Sequence, residues 1–363
     1  MKKLDWYILK KFIVTFLFCM LLFTLIAVAV DTSEKTDDFV KTGLSSLQII
    51  RQYYFGFVPF IWGLLFPLFV FIAVIFFTSR MATRSEVIAI LASGASYNRF
   101  LRPYLVGGVL FAVILWLGNS YVIPRANQIK STFQTTYFDK SNQQNRGNGC
   151  WNCYYLKIDS NTYIGLKYYD TATKSSSAFF MERIKGNQVV FNLRSNSIRW
   201  DTARKKWKIY NVTERTINGM KEIVKTYTDT VVNISLKPDE LRKDEYLKDK
   251  LTTPELVAFI ERQEQRGREG LSPLKVEKYR RSATPATVLL LTLIGVVIAS
   301  RKTRGGSGMH LALGIVIAAV FIISDRFSTV FATKSNFPPL IAAWLPNSIF
   351  SFVALWMYRR TPK

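Results

Sequence analysis

The side chains best suited to chemistry are few. The chain has one histidine, His310, and three cysteines, Cys19, Cys150 and Cys153. Cys150-Trp151-Asn152-Cys153 has the spacing of a local disulfide, half a metal site or a thiol redox pair. No second such pair exists, and the one histidine lies in an apolar run, so the donor set argues against zinc. No βαβ pattern surrounds the pair, which argues against a thioredoxin-like role. The expectation is a local structural disulfide or two idle thiols. The chain has no Gly-x4-Gly-Lys-Ser/Thr phosphate loop, no His-Glu-x-x-His and no nucleophile elbow. Catalysis is therefore poorly supported.

Charges beside apolar runs are the next group. Asp325 and Arg326 interrupt the run that begins at Met309, and as neighbours they point about 100° apart on a helix. An arginine in hydrocarbon costs about 2.5–3.5 kcal/mol on insertion scales, so such residues either line a functional path or snorkel to the interface. Lys275, Lys278 and Arg281 are spaced three apart on roughly one helical face. They would attract lipid phosphates or carboxylates, or anchor to anionic headgroups. Arg84-Ser85-Glu86 opens a short apolar segment. Ser85 can cap a helix, Glu86 suits its positive end and Gly94 stops it. Val87, Ile90 and Leu91 would form one apolar face, which needs a partner groove or a lipid surface.

The elements that carry these residues follow from hydropathy. Six uncharged runs cover Phe12–Val30, Phe55–Ser79, Pro103–Pro124, Ser282–Ser300, Met309–Ser324 and Ser335–Tyr358. One helical crossing needs about 20 apolar residues, and most of these runs meet it. The fifth does so if it continues through Asp325–Arg326 to Thr333. The first run, with Ala27-Val28-Ala29 near its end, could also be a cleaved signal peptide. It exceeds the ~7–15-residue apolar core of such peptides and is read as a retained span. Three spans on each side of residues 125–281 put both termini on one face of the membrane. The short loops on that face hold 14 Lys/Arg, against 4 on the other. By the positive-inside rule the termini are cytoplasmic and the central block is exported.

The net charge is +24, and residues 125–281 hold 30 Lys/Arg against 18 Asp/Glu. Such a block is either ordinarily solvated or meets an anionic lipid or polyanion. It reads as β-rich, with short strands from Tyr154 to Leu236, the last two at Glu222–Thr228 and Val231–Leu236, separated by turn residues as in a sandwich or jelly roll. Thr253-Pro254-Glu255 then starts a helix, and Ser272-Pro273 starts the one that becomes the fourth span. The expected domains are spans one to three over 1–124, a β-domain over 125–252, a helical connector over 253–281 and spans four to six over 282–363.

Arg84-Ser85-Glu86 with Ala92-Ser93-Gly94, Val122-Ile123-Pro124, Leu236-Lys237-Pro238-Asp239-Glu240-Leu241, Thr253-Pro254-Glu255-Leu256, Phe337-Pro338-Pro339-Leu340 and Trp344-Leu345-Pro346 follow one another along nearly the whole chain. Together they resemble one family, the lipopolysaccharide-export ABC permeases of the LptF/LptG type. The resemblance implies a six-span α-helical membrane protein with an inserted all-β, jelly-roll-like periplasmic domain, in the bacterial inner membrane. It implies a second related permease, a dimeric cytosolic ABC ATPase that binds the ATP, periplasmic jelly-roll bridge proteins, and lipopolysaccharide and membrane lipids as ligands. No nucleic acid and no cofactor of its own are expected. Arg84–Gly94 would be the coupling helix, with Glu86 as its polar contact. The family often carries a basic residue near the outer end of the first span. Here that stretch reads Ala27-Val28-Ala29-Val30-Asp31, so the headgroup contact is expected at Lys35 or on the partner subunit. The alternative is an ABC-type subunit that relays ATPase motion to its exported domain without moving lipid. An open, apolar-lined groove in the β-domain would favour transport, and a packed core the alternative.

Overall fold

Residues 3–138, 154–159, 161–170, 173–186, 188–202, 204–219, 221–232, 234, 236, 238, 247–265, 270–301, 306–335 and 337–360 are described in the computed structural model. The chain forms two compact units. One comprises Met1–Asp139, Tyr246–Val257 and Ser272–Lys363, the other Lys140–Glu245 and Ala258–Leu271.

Among the described residues, the first unit holds six helices long and apolar enough to cross a membrane. The first span is α1 (Lys3–Glu34), followed by the short α2 (Thr36–Thr42). The second runs through α3 (Ser46–Ile49), a π-helical turn and α4 (Phe55–Thr83). After the short α5 (Glu86–Ala92), the third runs through α6 (Tyr97–Leu117) and α7 (Ile123–Phe133). Pro124 does not end this span. A π-turn over Gly118–Val122 absorbs the missing proline N–H, and the helix continues. Two short helices, α8 (Leu247–Lys250) and α9 (Thr253–Gln265), precede the last three spans. These are α10 (Ser272–Ala299), α11 (Gly306–Lys334) and α12 (Pro339–Arg359). The fifth span does continue through Asp325–Arg326.

Aromatic packing and interhelical polar bonds join the spans. Phe12 of α1 meets Phe111 of α6 with ring centroids 5.1 Å apart, and Phe77 of α4 at 5.8 Å. Gly107 makes room, since a Cβ there would lie 2.6 Å from the Phe12 ring. Asn347 of α12 accepts from Thr287 Oγ1 at 2.8 Å and donates to the Ala283 carbonyl at 2.9 Å, both in α10. Buried amides of this kind tie helices together where no water competes.

The second unit is an antiparallel sheet of β1 (Tyr154–Lys157), β2 (Thr162–Lys167), β3 (Ser175–Ser176), β4 (Ala178–Lys185), β5 (Gln188–Asp201), β6 (Lys206–Asn218) and β7 (Lys221–Val232). The order is β1-β2-β4-β5-β6-β7, with β3 added against the far half of β5. The last two expected strands are one, β7. Ile164, Leu166, Phe179, Leu193, Ile198, Trp207, Ile209 and Val212 fill one packed core. Trp207 donates to the Leu236 carbonyl at 2.7 Å and meets Trp200 edge-on at 5.1 Å. The inserted domain is thus all-β and apolar inside, as expected.

The α8 segment is held on both sides. Asn127 Nδ2 and Gln128 Nε2 of α7 donate to the Asp249 and Lys250 carbonyls at 3.1 Å each. Arg281 of α10 donates to the Lys248 and Leu251 carbonyls at 2.8 Å each. Burial and the nearby Glu277 carboxylate push the Asp249 carboxyl above its ordinary value of 3.8, against the pull of Lys248, Arg280 and Arg281. Because the folded-state value is raised, this group favours the fold fully below 3.8 and loses that contribution as pH rises through the folded value. Asp249→Asn should therefore melt higher than the parent at neutral pH. The two thermal midpoints should converge in acid, where both side chains are neutral.

Candidate functional site

Two polar clusters stand out in the helical unit. The first joins the C-terminal end of α1 to the N-terminal end of α4. Asp31 and Lys35 are one turn apart and form an ion pair, with Asp31 buried. Lys35 Nζ also donates to Tyr53 Oη, which in turn donates to Asp31 Oδ1 at 3.2 Å. Asp31 Oδ2 is buried without a hydrogen-bond partner. Tyr53 is fully buried among Phe39, Phe57 and Phe133. Its ring lies 4.9 Å from Lys35 Nζ.

Lys130 of α7 adds a second cation. Its ammonium lies 3.3 Å from the Phe60 ring centroid and 5.8 Å from that of Phe57. No ion pair to it is present among the described residues. Lys130 gets there because spans two and three touch at Gly56. A Cβ at Gly56 would lie 2.5 Å from the Ala126 carbonyl oxygen and 2.6 Å from the Lys130 nitrogen. The cluster therefore holds two ammonium groups and one carboxylate in a largely desolvated place. A buried charge without a counter-ion is costly, so an arriving anion would be stabilised here. The sequence pointed to Lys35 but missed Lys130, because Lys130 follows Pro124, where the third span was expected to stop. Gly56 was the available signal of close helix approach.

The second cluster surrounds α5. Glu86 opens the helix, as expected, and receives the Tyr7 hydroxyl at 3.3 Å, with Arg84 4.0 Å away. Arg99 anchors the base of α6 to buried Asp5 of α1 at 2.7 Å. Ser85 precedes the helix at φ 60°, which is not the extended backbone of a usual capping serine. Gly94 follows it at φ 84°, in the left-handed region that a terminating glycine adopts. The expected apolar face points the other way. Val87 is 1% exposed and packs with Met81, Tyr97 and Leu101, and Ile90 and Leu91 lean on the same core. The surface left open carries Ile88, which is 50% exposed, with Ala89, Ala92, Ser93 and Gly94. Seven residues make about two turns, so the bundle claims the most apolar stripe and leaves a small-residue one.

The other expected site residues are scattered. Lys275 and Lys278 are half-buried, but Arg281 is buried, and Glu277, Thr253 and the α8 carbonyls take its donors. The three basic residues therefore do not share an open face, and Arg281 is a structural cation rather than a free one. Asp325 is half-buried and Arg326 exposed, with no ion pair between them. Cys150 and Cys153 lie outside the described residues, and Cys19 is a buried free thiol.

Comparison with known proteins places this arrangement. A family model described as "Lipopolysaccharide export system permease LptF/LptG" matches residues 6–360. The chain belongs to the LptF/LptG family. It is similar to the lipopolysaccharide export system permease protein LptG of Escherichia coli strain K12, at 20% identity over 98% of each chain. The protein of the same name from Escherichia coli O6:H1 (strain CFT073) matches at the same identity and coverage. The two clusters therefore belong to an export permease, one at each end of its first three helices.

Gly56→Ala forces a methyl group into the backbone of α7. Overpacking of this kind costs about 1–3 kcal/mol. A lower melting temperature is expected, together with faster amine labelling of Lys130 as spans two and three part. Unchanged labelling would count against the close approach.

Proposed function

We propose that the chain is one permease subunit of an ABC exporter of the bacterial inner membrane. It would extract lipopolysaccharide and hand it to periplasmic bridge proteins. The observation that carries this reading is the Asp31–Lys35–Lys130 cluster with its excess positive charge. Lipopolysaccharide presents phosphates beside acyl chains, and the cluster sets cations beside Tyr53, Phe57 and Phe60. A phosphate entering between spans one and three would exchange with the Asp31 carboxylate for Lys35 and meet Lys130 directly.

The orientation rests on the loop charges, with both termini cytoplasmic and the β-domain periplasmic. A phosphate loop is missing from the sequence, so ATP hydrolysis falls to a cytosolic partner dimer. Its docking surface would be the Glu86, Ile88, Ala89 and Ala92 side of α5, whose small residues suit close approach to a groove. Exposed apolar residues of α1 and α11, such as Leu17, Leu21, Val316 and Val320, leave room for lipid and for a second related permease. Among the described residues β7 pairs only with β6 and carries exposed Ile223, Val224 and Tyr227. Such an edge suits strand addition by a periplasmic partner of similar fold.

One observation favours the alternative. The β-domain interior is filled around Trp207 rather than open. A packed core suits an exported domain that relays motion without carrying lipid through itself.

A photoreactive residue at Phe180 of β4 separates the two. Adducts with lipopolysaccharide during ATP turnover support passage, and adducts confined to the spans support relay. Lys35→Ala with Lys130→Ala should cut span adducts about tenfold or more, since each charged hydrogen bond contributes about 1.5–3 kcal/mol. On the cytosolic side, Glu86→Ala and Ile88→Asp should reduce co-purification of the ATPase without lowering the melting temperature. Full recovery of the ATPase with both variants would refute the α5 surface.

A further inference from the structure

Four consecutive backbone carbonyls, Lys248 to Leu251, each receive a side-chain hydrogen bond from a membrane span. The donors come from two spans. Arg281 of span four takes the first and last, and Asn127 and Gln128 of span three take the two between. The last carbonyls of any helix have no partner within it, and α8 is only four residues long, so external donors decide whether it forms. Arg281 is itself aligned by Glu277 at 3.2 Å and reaches Thr253 Oγ1 at 3.3 Å. Thr252 N–H donates to Glu255 Oε2 at 2.9 Å and starts α9 at once. The chain here is the return leg from the exported domain into span four. The outgoing leg leaves from span three, beyond Phe138.

We propose that Arg281, Asn127 and Gln128 form a joint that fixes the returning leg to spans three and four together. Through it a relative movement of those spans reaches the exported domain. Arg281 is then a positioning residue for cargo delivery and not a headgroup ligand. This consequence for delivery rests on the transport reading, whereas the joint itself does not. Both functions of the guanidinium depend on its fork, which spans two carbonyls a turn apart. A lysine keeps the charge but cannot make both bonds.

The test uses the full-length chain assembled with its partner subunits, comparing Arg281→Lys and Arg281→Gln with the parent. Deuterium uptake over 247–256 should rise about tenfold in both variants, the effect expected on losing a charged hydrogen-bond pair. Photoreactive residues at Phe55 and Phe180 report lipid at the spans and in the β-domain. Adducts at Phe55 and the ATPase rate should persist, while adducts at Phe180 should fall. Parental uptake and parental Phe180 adducts in Arg281→Lys would overturn the proposal, because charge alone would then suffice. Raised uptake with full delivery in both variants would overturn the coupling. If the parent forms no adduct at either position, the transport reading fails, and the uptake measurement still decides the joint.

Discussion

A peptide group inside hydrocarbon has no solvent to bond with, and that constraint arranges the whole helical unit. Each span satisfies its own backbone, and interruptions occur only where something replaces the lost partner. Pro124 removes one donor, and a π-turn reroutes the ladder around it. Threonine hydroxyls bond back to carbonyls one turn earlier, as Thr24 does to Met20 and Thr292 to Val288. Where the chain returns to the helical unit after the β-strands, its carbonyls would be orphaned. Asn127, Gln128 and Arg281 cover them. Asn127 and Arg281, both buried, are thus answers to backbone accounting before they are anything else.

The same constraint sorts the charged residues by use. Each of the three guanidinium nitrogens of Arg281 donates to a partner in the chain, so its burial is compensated and it is poorly placed to act as a ligand. Lys130 has an aromatic face where a counter-ion would normally sit. Cation–π contact contributes about 0.5–2 kcal/mol, less than a desolvated ion pair, and leaves the ammonium open to an anion. Asp5 and Arg99 satisfy each other at the other end and brace spans one and three beneath α5. Of these, only Lys130 is half-buried without an ion pair among the described residues.

Much of this was legible in the sequence. Span number, the run through Asp325–Arg326, the inserted β-domain and the α5 boundaries follow from hydropathy, period and capping residues. What failed depended on rotation and on distant partners. Val87, Ile90 and Leu91 do lie on one side of α5, but periodicity cannot say whether that side meets a partner or the chain's own core. Arg281 sits three residues from Lys278, yet α8, more than 30 residues upstream, turns it inward. Lys130 was hidden by a proline rule that holds for an unaided helix and yields where a π-turn is tolerated. The two expected strands at 222–228 and 231–236 merged because residues 229–230 keep pairing with β6, helped by the Lys208–Asp229 bond at 2.6 Å.

On the proposed transport reading, the Asp31–Lys35–Lys130 cluster must also release what it binds. Two ammonium groups alone at a largely desolvated site would hold a phosphate too firmly for turnover. Asp31 lies one helical turn from Lys35 on the same helix, so its carboxylate is always at high local concentration. On that reading it would compete with an incoming anion and reclaim Lys35 when the anion leaves. Its second oxygen, buried and unbonded, keeps that carboxylate from being too well satisfied at rest. Tyr53 bonds to both partners and holds them in register, so exchange needs one side chain to swing rather than a helix to unwind. On the transport reading, Asp31 is then as necessary as the lysines, since it sets the affinity low enough for the cargo to move on.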